Sequence, residues 1–271
     1  MPIPNLILHA GAGNVDLKSP RAKAIQKELI HIHSNGLRYL RNHSALETVV
    51  EIVRQLEDLP STNAGLGSRL QKDGAARLSA SVMDGSKMRF AAVINIENVK
   101  NPILVAEKLL SEDDRVLAAR KATLYARKHG FQFFNPVAPN RWMDWKKEIA
   151  RDKTGTVGAC AVDKYGRLAA ATSTGGKGLE IPGRVSDSAM PCGNYADAFS
   201  AVSCTGIGED IIDECVAPKL VFLTSITGSI ETSFQEIFIP LKNSSRKLGA
   251  IGIDKIGRTC FDFTTKGMLF R

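Results

Sequence analysis

Hydroxyl residues and glycines are concentrated in the second half of the chain, in an order that suits nucleophilic catalysis. Thr156 follows Gly155 and opens a short apolar run. A threonine hydroxyl becomes an effective nucleophile when a base lies beside it, and its own α-amine can be that base once the preceding bond is cut. An α-amine has a pKa of about 7.7–8.0, so part of it is neutral at neutral pH. Glycine at 155 can adopt a strained backbone at such a bond.

Three further segments carry groups that can complete a site of this kind. Thr174 ends the return strand of a predicted hairpin, and Thr205-Gly206 precedes a predicted helix, where a hydroxyl and an N–H can stabilise an oxyanion. Arg184 and Asp187 have opposite charges and suit the carboxylate and ammonium of an amino acid. Each motif alone is more often structural, and a surface ion pair contributes only about 0–1 kcal/mol. Their joint order favours a catalytic site.

Motifs of several other functional classes do not occur in the sequence. It contains no Gly-x-x-x-x-Gly-Lys-Ser/Thr loop, no His-Glu-x-x-His and no Gly-x-Ser-x-Gly. The five histidines lack the spacing of metal ligands. Five cysteines, an odd number without Cys-x-x-Cys, argue against a disulfide framework or a structural zinc site. We therefore expect catalysis without a cofactor.

The net charge of +8 arises entirely in the first half of the chain. Residues 1–155 contain 24 Lys and Arg against 16 Asp and Glu, whereas residues 156–271 contain 12 of each kind. Because no aromatic residues are interleaved on one face, we expect a solvated basic surface and no nucleic-acid partner. No apolar run approaches the roughly 18 residues of a membrane helix, and no secretory leader is visible. We expect a cytoplasmic protein without a membrane partner.

Hydrophobic periodicity predicts a mixed α and β fold and not a run of βαβ units. Strands are expected at 6–9, 78–83 and 90–96, hairpins at 161–168 and 251–258, and helices at 19–42, from 44, 103–110, 113–128 and 209–223. Ser44-Ala45-Leu46-Glu47 is a capping box that begins the second helix. Residues 131–155 lose this periodicity and form the one candidate linker.

Taken in order, these motifs resemble the plant-type L-asparaginase and isoaspartyl peptidase family of N-terminal-nucleophile hydrolases. The matching segments cover nearly the whole chain: 9–13, 56–58, 63–68, 82–85, 101–103, 155–159, 171–176, 182–187 and 203–208. The resemblance implies a four-layer αββα sandwich of class α+β, formed by one domain over residues 1–271. It also implies self-cleavage between Gly155 and Thr156 into an α subunit, 1–155, with the linker-like end 131–155, and a β subunit, 156–271. The subunits would pair as a dimer of heterodimers.

The resemblance also implies a role for each motif residue. Thr156 would be the nucleophile and Thr174 would tune its hydroxyl. The oxyanion hole would contain Thr205 and Gly206. Arg184 and Asp187, with the Gly208 backbone, would form a clamp for the substrate. Asn63 would lie near the nucleophile and support it. A structural sodium ion would bind the carbonyls of Leu56, Glu57, Leu59, Thr62, Ala64 and Leu66.

The expected activity is cleavage of L-asparagine to aspartate and ammonia, of β-aspartyl dipeptides, or of both, through a β-aspartyl-enzyme ester. A glycosylasparaginase and a threonine-aspartase-like protease are alternatives that share the nucleophile. A slow-maturing or inactive relative that binds a partner through its basic α half is another. It stays open because Thr62 and Ser79 replace the family's phenylalanine and aspartate.

Overall fold

The central strands of this protein are buried along their entire length, which means that both faces of each sheet are covered there. A computed structural model describes residues 2–147 and 155–271. Every residue of the strands at 78–84, 157–162, 168–174 and 248–254 is buried. Continuous burial, without alternation of apolar and polar residues, is typical of strands that lie between two layers.

The strands form two mainly antiparallel sheets. They are β1 (Asn5–Gly13), β2 (Leu78–Asp84), β3 (Arg89–Ile96), β4 (Val116–Ala118), β5 (Val157–Val162), β6 (Leu168–Thr174), β7 (Asn194–Ala196), β8 (Ser200–Gly206), β9 (Leu248–Asp254), β10 (Thr259–Phe263) and β11 (Gly267–Phe270). The seven-stranded sheet has the order β11-β1-β5-β6-β2-β3-β4, and the four-stranded sheet has the order β10-β9-β8-β7. Only the β3–β4 pair is parallel among the described strand pairs.

Helices cover the outer faces of both sheets. The helices are α1 (Pro20–Leu40), α2 (Ala45–Glu57), α3 (Pro102–Leu109), α4 (Ala119–Lys128), α5 (Pro139–Lys146), α6 (Gly208–Glu214), α7 (Val216–Thr227) and α8 (Ile230–Lys242). Helices α1, α2 and α3 pack on the larger sheet, and α7 and α8 pack on the smaller one. None of the helices within the described ranges combines the length and the apolar character needed to span a membrane.

The hydrophobic core follows this order of helices and sheets. One cluster joins α1–α3 to the larger sheet, and a second joins α7 and α8 to the smaller sheet. A third cluster, which includes Ile7, Met83, Cys160 and Ile251, lies where the inner faces of the two sheets meet. Strands β5 and β6 contact β8 across this junction. The residues that bear the catalytic motifs therefore meet at the ends of strands from both sheets.

Most of the predicted elements are confirmed, and the Ser44 capping box forms with both of its hydrogen bonds. The helix predicted over 113–128 is wrong at its start, because Val116–Ala118 pairs with β3 as an edge strand. The helix predicted over 209–223 is two helices, α6 and α7. Cys215 separates them in a left-handed conformation with φ of +49°.

Several other elements were not predicted or fall only partly within the described residues. Helix α8 and strands β7, β8 and β11 were not predicted. The linker-like segment 131–155 contains α5, which buries Arg141, and its residues 148–154 lie outside the described part of the chain.

Candidate active site

Thr156 lies directly before strand β5, where β5 meets the end of β6. Its side chain is buried, and its hydroxyl donates a hydrogen bond to Oγ1 of Thr174 at 3.3 Å. Thr174 Oγ1 also accepts the N–H of Gly176 at 3.2 Å. The antiparallel pairing of Val157 with Ser173 sets this relationship, because it brings the start of β5 opposite the end of β6. Two threonine hydroxyls predicted from separate motifs are thus in direct contact.

Gly155 adopts a backbone conformation that few other residues tolerate. Its φ is +149°, and a Cβ at this position would lie 2.5 Å from Cβ of Asn63. A Cβ on Gly11 would lie 2.9 Å from Cα of Gly155, so the chain is also tightly enclosed on the β1 side. The Gly155 carbonyl accepts the backbone N–H of Asn63 at 3.2 Å. A scissile bond is favoured by backbone strain and by a polarised carbonyl, and Gly155 has both features.

Asn63 connects Gly155 to the turn that follows β6. Its backbone carbonyl accepts the N–H of Gly175 at 2.8 Å, and its Nδ2 donates to the carbonyl of Gly176. Its Oδ1 accepts the N–H of Arg69 at 2.9 Å. Because these bonds occupy both ends of the side chain and the main chain, Asn63 is held in one orientation beside the Gly155–Thr156 bond.

Arg184, Asp187 and Gly208 converge at the mouth of the same cleft. A Cβ on Gly208 would lie 2.6 Å from Nη2 of Arg184 and 2.8 Å from Oδ1 of Asp187, so only glycine admits both side chains here. Asp187 is buried, and within the described residues its Oδ2 has no hydrogen-bond partner. Burial raises the pKa of Asp187 to about 7, against the opposing effect of the Arg184 charge. An unpaired buried carboxylate is costly, and an incoming ammonium group would relieve that cost.

Glu209 pairs with the arginine that was predicted to bind the substrate. Its carboxylate accepts Nε and Nη2 of Arg184, each at 2.9 Å, and Nζ of Lys177 at 3.2 Å. Partial burial acts to raise the pKa of Glu209, but the hydrogen bonds from Arg184 and Lys177 outweigh it and lower this pKa to about 2. The two-point bond fixes the plane of the guanidinium group. Nothing in the sequence motifs pointed to this pair.

Thr205 and Gly206 end strand β8. Thr205 is fully buried, and its Oγ1 accepts the N–H of Ala12 at 3.3 Å. Gly206 has φ of +135°, and a Cβ there would lie 2.6 Å from Cα of Leu248. The cleft is lined by Gly155, Thr156, Thr174, Gly176, Lys177, Arg184, Ser186, Asp187, Gly206, Ile207 and Gly208. The nucleophile, the clamp and Gly206 therefore share one cleft, whereas the buried Thr205 does not line it.

In the loop that was predicted to bind sodium, hydrogen-bond donors of the protein already contact several of the predicted carbonyl ligands. The Thr62 hydroxyl lies 2.8 Å from the Leu56 carbonyl and 2.9 Å from the Leu59 carbonyl. The buried Arg141 guanidinium donates to the Thr62 carbonyl at 3.1 Å. The Ala64 carbonyl accepts the N–H of Gly67 at 3.2 Å.

Glu57 and Leu66 supply the other two predicted carbonyls of this loop. A hydroxyl and a cationic side chain thus face three of the predicted ligands, an arrangement that disfavours a second cation there. The described ranges also contain no cluster of three His, Cys, Asp or Glu side chains suited to a metal ion.

Two residues near Thr156 were missed by the sequence reasoning. Ser188 Oγ lies 3.5 Å from Oγ1 of Thr156. His9 is fully buried, and its Nδ1 lies 3.1 Å from the carbonyl oxygen of Thr156. His9 belongs to segment 9–13, which the resemblance had singled out, and Ser188 directly follows segment 182–187, but nothing in the spacing assigned either residue to the nucleophile.

Comparisons with known proteins agree with this geometry. The sequence model of the family described as Asparaginase matches residues 2–271. An isoaspartyl peptidase/L-asparaginase of a Nostoc species is 42% identical over 94% of this chain and 86% of its own length. The plant-type L-asparaginase of Pyrobaculum calidifontis is 33% identical over 97% and 94%, and the isoaspartyl peptidase of Escherichia coli is 32% identical over 97% and 90%. The match spans every element that builds the cleft, and the chain belongs to the asparaginase family.

Proposed function

We propose that this protein is an amidohydrolase that cleaves L-asparagine and β-aspartyl dipeptides, with Thr156 as its nucleophile. The observation that carries the proposal is the single cleft in which the Thr156 hydroxyl, bonded to Thr174, lies with Arg184 and Asp187. The names of the Nostoc, Pyrobaculum and Escherichia coli relatives support this substrate class. Catalysis proceeds on protein groups alone, without a cofactor.

The first proposed reaction is cleavage of the chain by its own nucleophile. Thr156 Oγ1 attacks the carbonyl carbon of Gly155, the Gly155–Thr156 amide bond breaks, and the hydroxyl proton ends on the released amine. Water then hydrolyses the resulting ester, which leaves a carboxylate on Gly155 and restores the hydroxyl. The φ of +149° at Gly155 and the Asn63 N–H on its carbonyl support this step, because they destabilise the amide and stabilise the oxyanion.

The second proposed reaction is hydrolysis of the substrate. The freed amine of Thr156 accepts the proton of Oγ1, which attacks the side-chain amide carbon of asparagine. Ammonia leaves with that proton, or the amino group of the second residue leaves when the substrate is a β-aspartyl dipeptide. Water cleaves the β-aspartyl ester and releases the free acid. The end of β8, at Thr205 and Gly206, stabilises the oxyanion.

The clamp selects substrates with a free α-amine and a free α-carboxylate. The unpaired Oδ2 of Asp187 supports binding of the ammonium group. Arg184 binds the α-carboxylate while Glu209 holds its guanidinium plane, and the backbone of Gly208 lies beside both groups. A clamp of this kind obstructs a continuous peptide, which favours the small substrates over the protease alternative.

We take the two covered sheets as a four-layer αββα sandwich in one domain over 1–271, matured into subunits 1–155 and 156–271 that pair as a dimer of heterodimers in the cytoplasm. We assign no role to the structural sodium that the resemblance implies, because Thr62 and Arg141 supply donors at the carbonyls that would bind it. No step of the reaction depends on that ion.

Intact mass spectrometry of the purified protein, before and after incubation at neutral pH, tests the proposal. Two species that correspond to 1–155 and 156–271, together with ammonia release from L-asparagine, are expected. Thr156→Ala should remain one chain without activity, and Thr156→Ser, which keeps a hydroxyl, should cleave. Cleavage of the 155–156 bond in Thr156→Ala would exclude Thr156 as the nucleophile.

A further inference from the structure

We propose that His9 is a positioning residue for Thr156, at the end of a hydrogen-bonded chain that runs from Thr172 through Ser203 to His9 and the Thr156 carbonyl. The inference rests on the proposed function, since it concerns how the nucleophile is held. His9 lies on β1, Thr172 on β6 and Ser203 on β8. The chain therefore links the two sheets directly behind the nucleophile.

The geometry of the chain is continuous and fully enclosed. Nδ1 of His9 lies 3.1 Å from the carbonyl oxygen of Thr156, and its Nε2 lies 2.9 Å from Oγ of Ser203. Ser203 Oγ lies 2.7 Å from Oγ1 of Thr172. The side chains of His9, Ser203 and Thr172 are all inaccessible to solvent. Water cannot replace a lost partner at this depth without opening the junction between the sheets.

The Thr156 carbonyl oxygen, at one end of the chain, determines which group donates in each of its hydrogen bonds. A carbonyl oxygen only accepts, so Nδ1 of His9 must donate to Thr156. Burial lowers the pKa of His9 to about 3, although its bond to the Thr156 carbonyl acts in the opposite direction, so the ring stays neutral and Nε2 accepts from Ser203. The Ser203 oxygen is then free to accept the hydroxyl proton of Thr172. The Thr156 carbonyl thus selects the Nδ1–H tautomer of His9, and the Ser203 hydroxyl stabilises that tautomer by donating to Nε2.

A glycine in strand β5 provides room for this chain. A Cβ on Gly158 would lie 2.0 Å from Oγ of Ser203 and 2.5 Å from Nε2 of His9. Gly158 pairs with His9 in the sheet, so the His9 ring passes over its Cα toward β8. Only glycine at position 158 therefore leaves room for the imidazole of His9 and the hydroxyl of Ser203.

The position of Thr156 explains why it needs such a bond. The ladder between β5 and β6 begins at Val157, so Thr156 precedes the first paired residue. Cleavage before Thr156 would turn it into a chain terminus, and termini fray unless they are held. A bond to its own carbonyl fixes the backbone from which both Oγ1 and the amine project. Loss of that bond should misplace the nucleophile and leave Arg184 and Asp187 in place.

The test compares His9→Leu, His9→Asn, Ser203→Ala and the double variant His9→Asn/Ser203→Ala. The readouts are the rate of 155–156 cleavage, kcat per cleaved chain and KM for L-asparagine, with thermal unfolding to check folding. His9→Leu should lower kcat by about 10²-fold, the cost of a misplaced reacting group, with KM within about twofold. Asparagine places Nδ2 near the position of Nδ1, so His9→Asn should recover most of kcat.

The double variant separates positioning from packing. Ser203→Ala should lower kcat when His9 is present, because Nε2 of His9 loses its donor and the Nδ1–H tautomer is stabilised less, and it should have no further effect in His9→Asn, which has no tautomers. A kcat of His9→Leu equal to wild type, or equal losses in His9→Asn and His9→Leu, would overturn the inference. If His9→Leu does not fold, Ser203→Ala is compared in the wild type and in His9→Asn. An equal loss of kcat in both would overturn the inference. A wild-type protein that neither cleaves nor hydrolyses would instead overturn the proposed function.

Discussion

The backbone N–H of Asn63 donates to the carbonyl oxygen of Gly155 at 3.2 Å, and Cβ of Asn63 occupies the space where a side chain at 155 would begin. One residue of the first half of the chain thus polarises the bond before Thr156 and also dictates that glycine precede it. The strain at Gly155 and the hydrogen bond on its carbonyl come from the same contact.

Gly155→Ala should slow cleavage of the chain by at least about 10²-fold, because the new Cβ would lie 2.5 Å from Asn63 and move the carbonyl from its donor. The measurement is a time course of intact mass at neutral pH. Gly130→Ala is the matched control, since Gly130 also has positive φ, at +85°, but has open space around it. Cleavage of Gly155→Ala at the wild-type rate would contradict the role assigned to this contact.

Binding of the product aspartate should weaken as pH falls below about 7. Burial raises the pKa of Asp187 to about 7, so protonation removes the charge that pairs with the ligand ammonium. Affinity should fall by about tenfold per pH unit below that value, as for a single ionisation that binding requires. Calorimetric titration of aspartate between pH 5 and 8 measures this affinity. Because it measures binding and not turnover, the role of the Thr156 amine as a base does not enter the result.

Asp187→Asn provides the control for that titration. Its affinity should be low at every pH and should show no step near pH 7. A wild-type affinity that stays constant from pH 5 to 8 would show that Asp187 is ionised throughout, or that it does not contact the ammonium group.

Arg184→Met should raise KM for L-asparagine by about 10–100-fold, since a hydrogen bond to a charged group contributes about 1.5–3 kcal/mol. Cleavage of the chain should proceed at the wild-type rate, because Arg184 binds the substrate and not the Gly155–Thr156 bond. Arg246→Met is the matched control, because Arg246 also pairs with carboxylates, those of Asp210 and Asp213, but does not line the cleft. Steady-state kinetics on both variants measure this effect, and an unchanged KM in Arg184→Met would remove Arg184 from the clamp.

Replacement of sodium by choline at constant ionic strength should leave the unfolding temperature unchanged, because Thr62 and Arg141 already bond to the carbonyls of the 56–66 loop. Arg141→Met should lower the free energy of unfolding by roughly 3 kcal/mol, since it leaves the carbonyls of Thr62 and Gly67 without this donor. Exposed Arg120→Met is the control. A saturable rise of the unfolding temperature with sodium in the wild type would show that the loop binds the ion.

Local interactions made much of the secondary structure predictable. Ser44 and Glu47 are three residues apart, and their reciprocal bonds form in any chain that begins a helix there. The Asp163 and Asp254 hairpins follow from turn residues within a few positions of each other. The edge strand Val116–Ala118 and the break at Cys215 were not predictable, because pairing with β3 and packing on the smaller sheet override helical periodicity.

The sequence by itself determined which residue types supply the chemistry: a threonine after glycine, a second threonine, and an arginine with an aspartate in one loop. Only the tertiary structure decided their contacts. The bonds of Asn63 to Gly155 and of His9 to Thr156 span more than ninety residues; the second follows from the register of β1 on β5, and the first joins the loop after α2 to the residues before β5. Hydrogen bonds of that range depend on which strands pair, and no local pattern encodes that choice.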